Sequence, residues 1–288
     1  MAFGMKRIIV PIDFSDEAVH GLKLAIMFAN QYGCAIEMVH VLRPHEPSHS
    51  RYHEVKEQIE QQLQNLANIY TPKLQSGASI SYIVKRGKVF QEVVNQAQAF
   101  DDAVIVCSTH GASGFEEFFI GSNAFRILTA TTCPVITIRH GAMHSNIERI
   151  VLPIDITAES RQKVPIVAEL AQAFGAEVHV LGVASSQADD IDRRVRQYTA
   201  QVADYLGEHG VRHVVEHARG GNLANITMEY MERVNADLVA IMSEQGMNIA
   251  DFVLGSYAQQ MFSKSTVPVL CITPRELSLA SDSFRAQG

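Results

Sequence analysis

Residues 108–123 read STHGASGFEEFFIGSN. Glycine at 111, 114 and 121 and hydroxyl side chains at 108, 109, 113 and 122 crowd one short stretch. It follows AVIVC, a buried strand by composition, and precedes AFRIL, the start of a helix. Such a loop is either a connector or a binding loop, and its place between a strand and a helix favours binding. The N–H groups free at a helix N-terminus, together with the helix dipole, suit an anion, and phosphate is the usual one. Gly111 and Gly121 let backbone approach an oxygen closely. Ser122 donates its hydroxyl to the same group or caps the helix. His110 contacts phosphate or packs locally.

The elements that position this loop emerge from a repeat. RIIVPIDFS (7–15) and RIVLPIDIT (149–157) share Arg, Ile, Pro, Ile and Asp at an offset of 142. At the same offset YGCAIEMVHVL (32–42) faces FGAEVHVLGVA (174–184). AVIVCSTHG faces LVAIMSEQG, and TCPVITI faces TVPVLCI, in unchanged order. The chain therefore reads as two copies of one domain of about 140 residues. We assign 1–140 to the first and 148–274 to the second, with HGAMHSNI (140–147) as linker and 275–288 as a polar tail.

Each half alternates strand and helix signals. RIIVPI is a strand, and Ser15, Asp16 and Glu17 open a helix through Asn30. AIEMVHV is a second strand, and Tyr52, Val55, Ile59, Leu63 and Leu66 mark a helix over 52–70. A strand near 79–84, a short helix after Gly87, strand 103–107, a helix from about Ser122 and strand PVITI complete the half. The expected fold class is α/β, with two tandem doubly wound, Rossmann-like domains, each a five-stranded parallel sheet flanked by helices. Ligands of such sheets bind beyond the strand C-termini. That is where Asp13 ends the first strand, Val41 nears the end of the second and 108–123 follows the fourth. Asp13 also suits a helix cap.

There is no GxxxxGK[ST] and no GxGxxG after the first strand, so neither a Walker loop nor a dinucleotide fingerprint is present. A net charge of −7 argues against non-specific nucleic-acid binding. The longest apolar runs are strand-length, far below the roughly 20 residues that span a bilayer. The N-terminus shows no signal-peptide pattern, and Cys34, Cys107, Cys133 and Cys271 have no CxxC spacing, so we expect a reducing cytoplasm. His45, His49 and His53 lie four apart, and His213 and His217 would share a strand face. Pro44 and Pro47 interrupt the first series, and we assign neither to a metal. Arg86–Gly87 and Arg219–Gly220 recur before a helix, read as a turn glycine beside a solvated arginine.

The sequence resembles the universal stress proteins, in two copies over nearly the whole chain. Nucleotide-binding members carry Gly-x2-Gly-x9-Gly-Ser/Thr after strand four. Here Ser108 takes the place of the first glycine, Gly111 follows, nine residues intervene, and Gly121, Ser122 and Asn123 close the motif. The resemblance implies ATP, with or without Mg²⁺, in the first domain. It implies that Asp13, after Pro11 and Ile12, meets the adenosine end, and that Val41 and Cys107 line the adenine slot. It also implies pairing of the two domains through PVITI and PVLCI, with a homodimer as a further possibility. The second loop, 243–256, has eight residues between Gly246 and Gly255, and Gln245 and Tyr257 stand in place of His110 and Asn123. Asp155, Val183, Gly255 and Ser256 remain, so the second site is expected to be weaker, changed in ligand or empty.

The function expected is a stress-response sensor that binds adenine nucleotide. No His–carboxylate pair is tied to the loop, so at most slow hydrolysis or autophosphorylation is expected. The alternatives are a nucleotide-independent interaction module, or a second domain that binds another small ligand or a metal. Adenylyl transfer is disfavoured, because PIDFS stands where a Ser/Gly-rich pyrophosphate loop would follow strand one.

Overall fold

In the computed structural model, residues 4–44, 51–75, 77–109, 120–139, 144–184, 186, 188–243 and 254–274 are described. The first half runs β1 (Arg7–Pro11), α1 (Asp16–Tyr32), β2 (Ala35–Leu42), α2 (Tyr52–Tyr70), β3 (Ser79–Arg86), α3 (Val89–Gln98), β4 (Ala103–Ser108), α4 (Ser122–Ala130) and β5 (Val135–Ile138). The second half repeats this as β6 (Arg149–Ile154), α5 (Val164–Phe174), β7 (Glu177–Ala184), α6 (Asp189–Glu208) and β8 (His213–Arg219). It closes with α7 (Leu223–Arg233), β9 (Leu238–Met242), α8 (Ser256–Lys264) and β10 (Val269–Ile272).

The strands form one ten-stranded sheet in the order β3-β2-β1-β4-β5-β10-β9-β6-β7-β8. Within each half every pairing is parallel. The halves meet where β10 runs antiparallel to β5, with Leu270 opposite Ile136. This pairing covers two edges that separate sheets would leave with unpaired backbone groups. Alternate strand residues feed two cores. Ile8, Val10, Ile36 and Met38 pack under α1 and α2, while Ile9, Val39, Ile105 and Cys107 pack under α3 and α4. Both faces are apolar because helices cover both.

Local signals set the helix bounds. Ser15 caps α1 by accepting from the Ala18 N–H at 3.1 Å, and Asp16 and Glu17 complement the dipole. Gly33 ends α1 in the left-handed region (φ 62°), and Gly175, 142 residues on, ends α5 in the same way (φ 66°). Phe174 joins the halves a second time, with its ring 5.3 Å from Phe28 and 6.4 Å from Tyr32.

The stretch read as a linker is only partly described. Its last residue, Ile147, is buried in the core, and exposed His144 contacts the Asp237 carboxylate. Asp237 also accepts the N–H groups of Glu148 and Arg149, at 2.9 and 2.8 Å, so the chain enters β6 fastened. The tail 275–288 lies outside the described residues.

Candidate functional site at the strand ends

In the first half the strand order reverses between β1 and β4, since successive strands lead away on either side. A crevice opens beyond the strand C-termini at such a switch point. Here it is a cleft of about 600 Å³, walled by the ends of β1, β2 and β4, by α2 and α3, and by the N-terminus of α4. Pro11, Ile12, Asp13, Val41, Cys107, Ser108, Gly121, Ser122 and Asn123, all singled out from sequence, line it together. His110 and Gly111 lie outside the described residues.

The wall at β1 is tightly built. The Ile12 N–H donates to the Val39 carbonyl at 2.9 Å, extending the β1–β2 pairing by one step. Asp13 accepts from the Ser15 N–H at 3.0 Å and from the Ser15 hydroxyl at 2.5 Å through one oxygen. Ser15, rather than Asp13, is the cap of α1; Asp13 orients the cap. Between them Phe14 has φ 65°, a left-handed backbone that is strained for an aromatic residue. Its ring lies 5.1 Å from that of His40. His40 lines the cleft, and its Nδ1 is 2.7 Å from the Ile12 carbonyl oxygen. Since the carbonyl only accepts, Nδ1 carries the proton. Burial lowers the imidazole pKa from its ordinary value, ahead of the opposing effects of that hydrogen bond and of Asp13.

The opposite wall holds the N-terminus of α4. Thr109 is buried; its N–H donates to the Ile138 carbonyl at 2.9 Å, and its carbonyl accepts from the Gly121 N–H at 2.7 Å. Gly121 is the N-cap of α4 (φ −56°, ψ 141°), with no side-chain cap bond, and Ser122 is the first helical residue. Ser122 is therefore not the cap. A glycine cap offers no side-chain oxygen to the first-turn N–H groups, which leaves them to a ligand or water. Cys107 is buried, and burial pushes its thiol pKa up to about 12, so it lines the slot as an apolar group.

Sequence reasoning did not select Thr109, His40, Arg43, Val55 or Val89 as site residues, yet all five line the cleft. Thr109 lay inside the loop already marked, and His40 and Arg43 flank Val41 and Leu42. Val55 carried only helical periodicity and Val89 only a place in the short helix after Gly87, and neither reports the cavity faced.

In the second half Asp155 repeats Asp13, accepting from the Thr157 N–H (2.8 Å) and hydroxyl (2.5 Å). Val183 is buried, Gly255 is the N-cap of α8 (φ −61°, ψ 158°) and Ser256 is its first residue. The loop residues 244–253 lie outside the described residues.

Of the histidine series, His45 and His49 lie outside the described residues, and His53 is in α2. His213 Nδ1 lies 3.0 Å from the Val211 carbonyl, and His217 Nε2 lies 2.9 Å from the Thr199 hydroxyl. Among the described residues no group of three or more His, Cys, Asp or Glu converges on a possible metal position. The two arginines read as solvated are engaged. Arg86 donates to the Pro44 carbonyl at 2.8 Å, and Arg219 forks onto Asp192. No helix among the described residues is long and apolar enough to cross a membrane.

The fold is that of a tandem, doubly wound α/β protein with a crevice at the switch point of its first half. Residues 4–139 and 146–273 each match the model of the Universal stress protein family, so the chain belongs to that family, twice over. The universal stress protein YxiE of Bacillus subtilis is 25% identical over 146 residues, covering 46% of this chain and 98% of that protein. The universal stress protein MJ0531 of Methanocaldococcus jannaschii is 24% identical over 139 residues, covering 46% of this chain and 82% of that protein. The crystal structure of a universal stress protein from Archaeoglobus fulgidus superposes with a TM-score of 0.77 at 19% identity, over 93% of this chain and 98% of that one. That likeness is one of fold.

Proposed function

We propose that the first half binds an adenine nucleotide, ATP with its Mg²⁺, and that its occupancy makes the chain a regulatory sensor in a stress response. The observation that carries this is the cleft of about 600 Å³ that joins Asp13 at one wall to the uncapped N-terminus of α4 at the other. Its size falls in the range of small-molecule sites, roughly 300–1,000 Å³. The phosphates belong at Gly121–Asn123, where N–H groups and the helix dipole favour negative charge. The adenosine end belongs at Asp13 and Val41, whose carboxylate and apolar surface suit a ribose hydroxyl and a base. The choice of adenine among the bases rests on the family resemblance. We assign no catalytic role to any residue. We place the protein in the cytoplasm, where its cysteines, all free, stay reduced. We read the two halves as an intramolecular pair joined through β5 and β10.

The test is the nucleotide content of protein purified without added ligand, by heat release and chromatography, with calorimetry for ATP and Mg²⁺. About one adenine nucleotide per chain, lost in Gly121→Asp, supports the reading. An empty protein that gives no heat with ATP sinks it and leaves an interaction module.

A further inference from the structure

The two halves keep one register from the end of β1 to the end of α1, so Asp13, Ala18 and Gly21 answer to Asp155, Ser160 and Lys163. At Gly21 a Cβ would stand 3.5 Å from the Ser108 nitrogen and 3.6 Å from the Cys107 carbonyl carbon. Cys107, Ser108, Ala18 and Asp13 all line the first cleft. The first half thus has no side chain where α1 meets the cleft floor.

The second half has a lysine there. Lys163 is only 2% exposed, and its Nζ donates to the Ser160 carbonyl at 2.7 Å. Burial disfavours its charge, while the carboxylate of Asp155 favours it. Its tip therefore lies by Ser160 and Asp155, the counterparts of Ala18 and Asp13 that border the first cleft, and within reach of Cys271, the counterpart of buried Thr137. A second difference lies at the start of α8. Asn123, exposed beside the first cleft, is answered by Tyr257, which is half-buried and packs into the core cluster that contains Val183 and Leu254. The Tyr257 hydroxyl meets that of Thr227 at 3.2 Å. Val183 is buried, whereas its counterpart Val41 is half-buried and lines a cleft.

We propose that Lys163 and Tyr257 fill the strand-end crevice of the second half, so that the chain takes one nucleotide, in its first half, while the second half holds its own ammonium where the first holds ligand. This rests on the nucleotide reading of the first half. Lys163 is the residue just before α5, so glycine there does not interrupt the helix.

The experiment uses full-length chains and ATP with Mg²⁺ in calorimetry, with circular dichroism to confirm folding. Wild type should bind one nucleotide, and Gly121→Asp should bind it at least ~100-fold more weakly. Adding Lys163→Gly and Tyr257→Asn to Gly121→Asp should restore a site, with affinity at least ~10-fold above that of Gly121→Asp alone. Lys163→Met with Tyr257→Asn in the same background keeps the floor filled and should stay empty. Two sites in wild type, or a folded triple variant that still binds nothing, would overturn the proposal. No binding by wild type would instead overturn the reading of the first half, and this proposal with it.

Discussion

The N–H of Gly121 donates to the carbonyl of Thr109 across 2.7 Å, and the Thr109 N–H is itself tied to the Ile138 carbonyl at 2.9 Å. The residue that opens α4 is thereby fixed to β4 and β5. The free N–H groups of the helix stand at a set distance from the strand ends, so under the proposed function an anion there would meet a preorganised site.

Gly121→Asp should separate binding from stability. Aspartate is a good N-cap, so unfolding free energy should change by less than about 1 kcal/mol, with the sign towards stabilisation. Its carboxylate would occupy and repel the phosphate position, and nucleotide affinity should fall by at least ~100-fold, or about 3 kcal/mol. Denaturant melts and calorimetry on one preparation check both halves of the statement.

Asp13→Ala should cost stability as well as affinity. It removes the acceptor for the Ser15 N–H and hydroxyl, which frees the cap of α1, at a cost of about 1 kcal/mol. Asp13→Asn keeps an acceptor oxygen and should recover most of the stability. If Asn restores stability without affinity, the carboxylate charge acts on the ligand; urea melts beside ATP titrations distinguish the two.

Lys163 predicts a pH dependence. Burial holds its pKa at about 8 against 10.5 for an ordinary lysine. Between these values the unfolded chain binds more protons than the folded one, so this group's contribution rises with pH through that window. The charge penalty below pH 8 is about 3 kcal/mol at most. Lys163→Met should therefore be relatively more stable than wild type near neutrality, and the advantage should shrink towards pH 10. Cys34, Cys107 and Tyr230, all raised by burial, act in the opposite direction at high pH in both proteins and cancel in the comparison; Cys271, raised by burial but drawn down by the Lys163 charge, loses that interaction in Lys163→Met, so the comparison is repeated in a Cys271→Ala background. A gap that does not change with pH would remove the buried ammonium from the account.

Gly182→Ala should damage the second half alone. Its Cβ would stand 2.5 Å from the His217 Cδ2 and 2.9 Å from the Val195 Cγ1. Relief requires α6 or the His217–Thr199 bond to shift, a cost of roughly 1–3 kcal/mol. Gly182 lies on β7 at the far side of the sheet from the first cleft, so ATP affinity should be unchanged. Thermal melts with and without ATP test this.

The sequence by itself determined the repeat, the alternation of strand and helix, and the neighbourhood of the cleft. Helix α2 was legible at 52–70 because Val55, Ile59, Leu63 and Leu66 recur at a local period. That Asp13, Val41 and the residues around Gly121 line one cleft was legible because the crevice of a parallel sheet opens beyond its strand ends, wherever those strands lie. Tertiary structure decided what periodicity cannot encode. It brought Val55 and Val89 to the cleft, set Thr109 as the clasp of α4, gave the cap to Gly121 instead of Ser122, and placed Phe14 in a left-handed turn over His40. It also buried Lys163 where the repeat has Gly21. Local pattern reports whether a side chain is buried, whereas the other chains it meets depend on strand order, and strand order is a property of the assembled sheet.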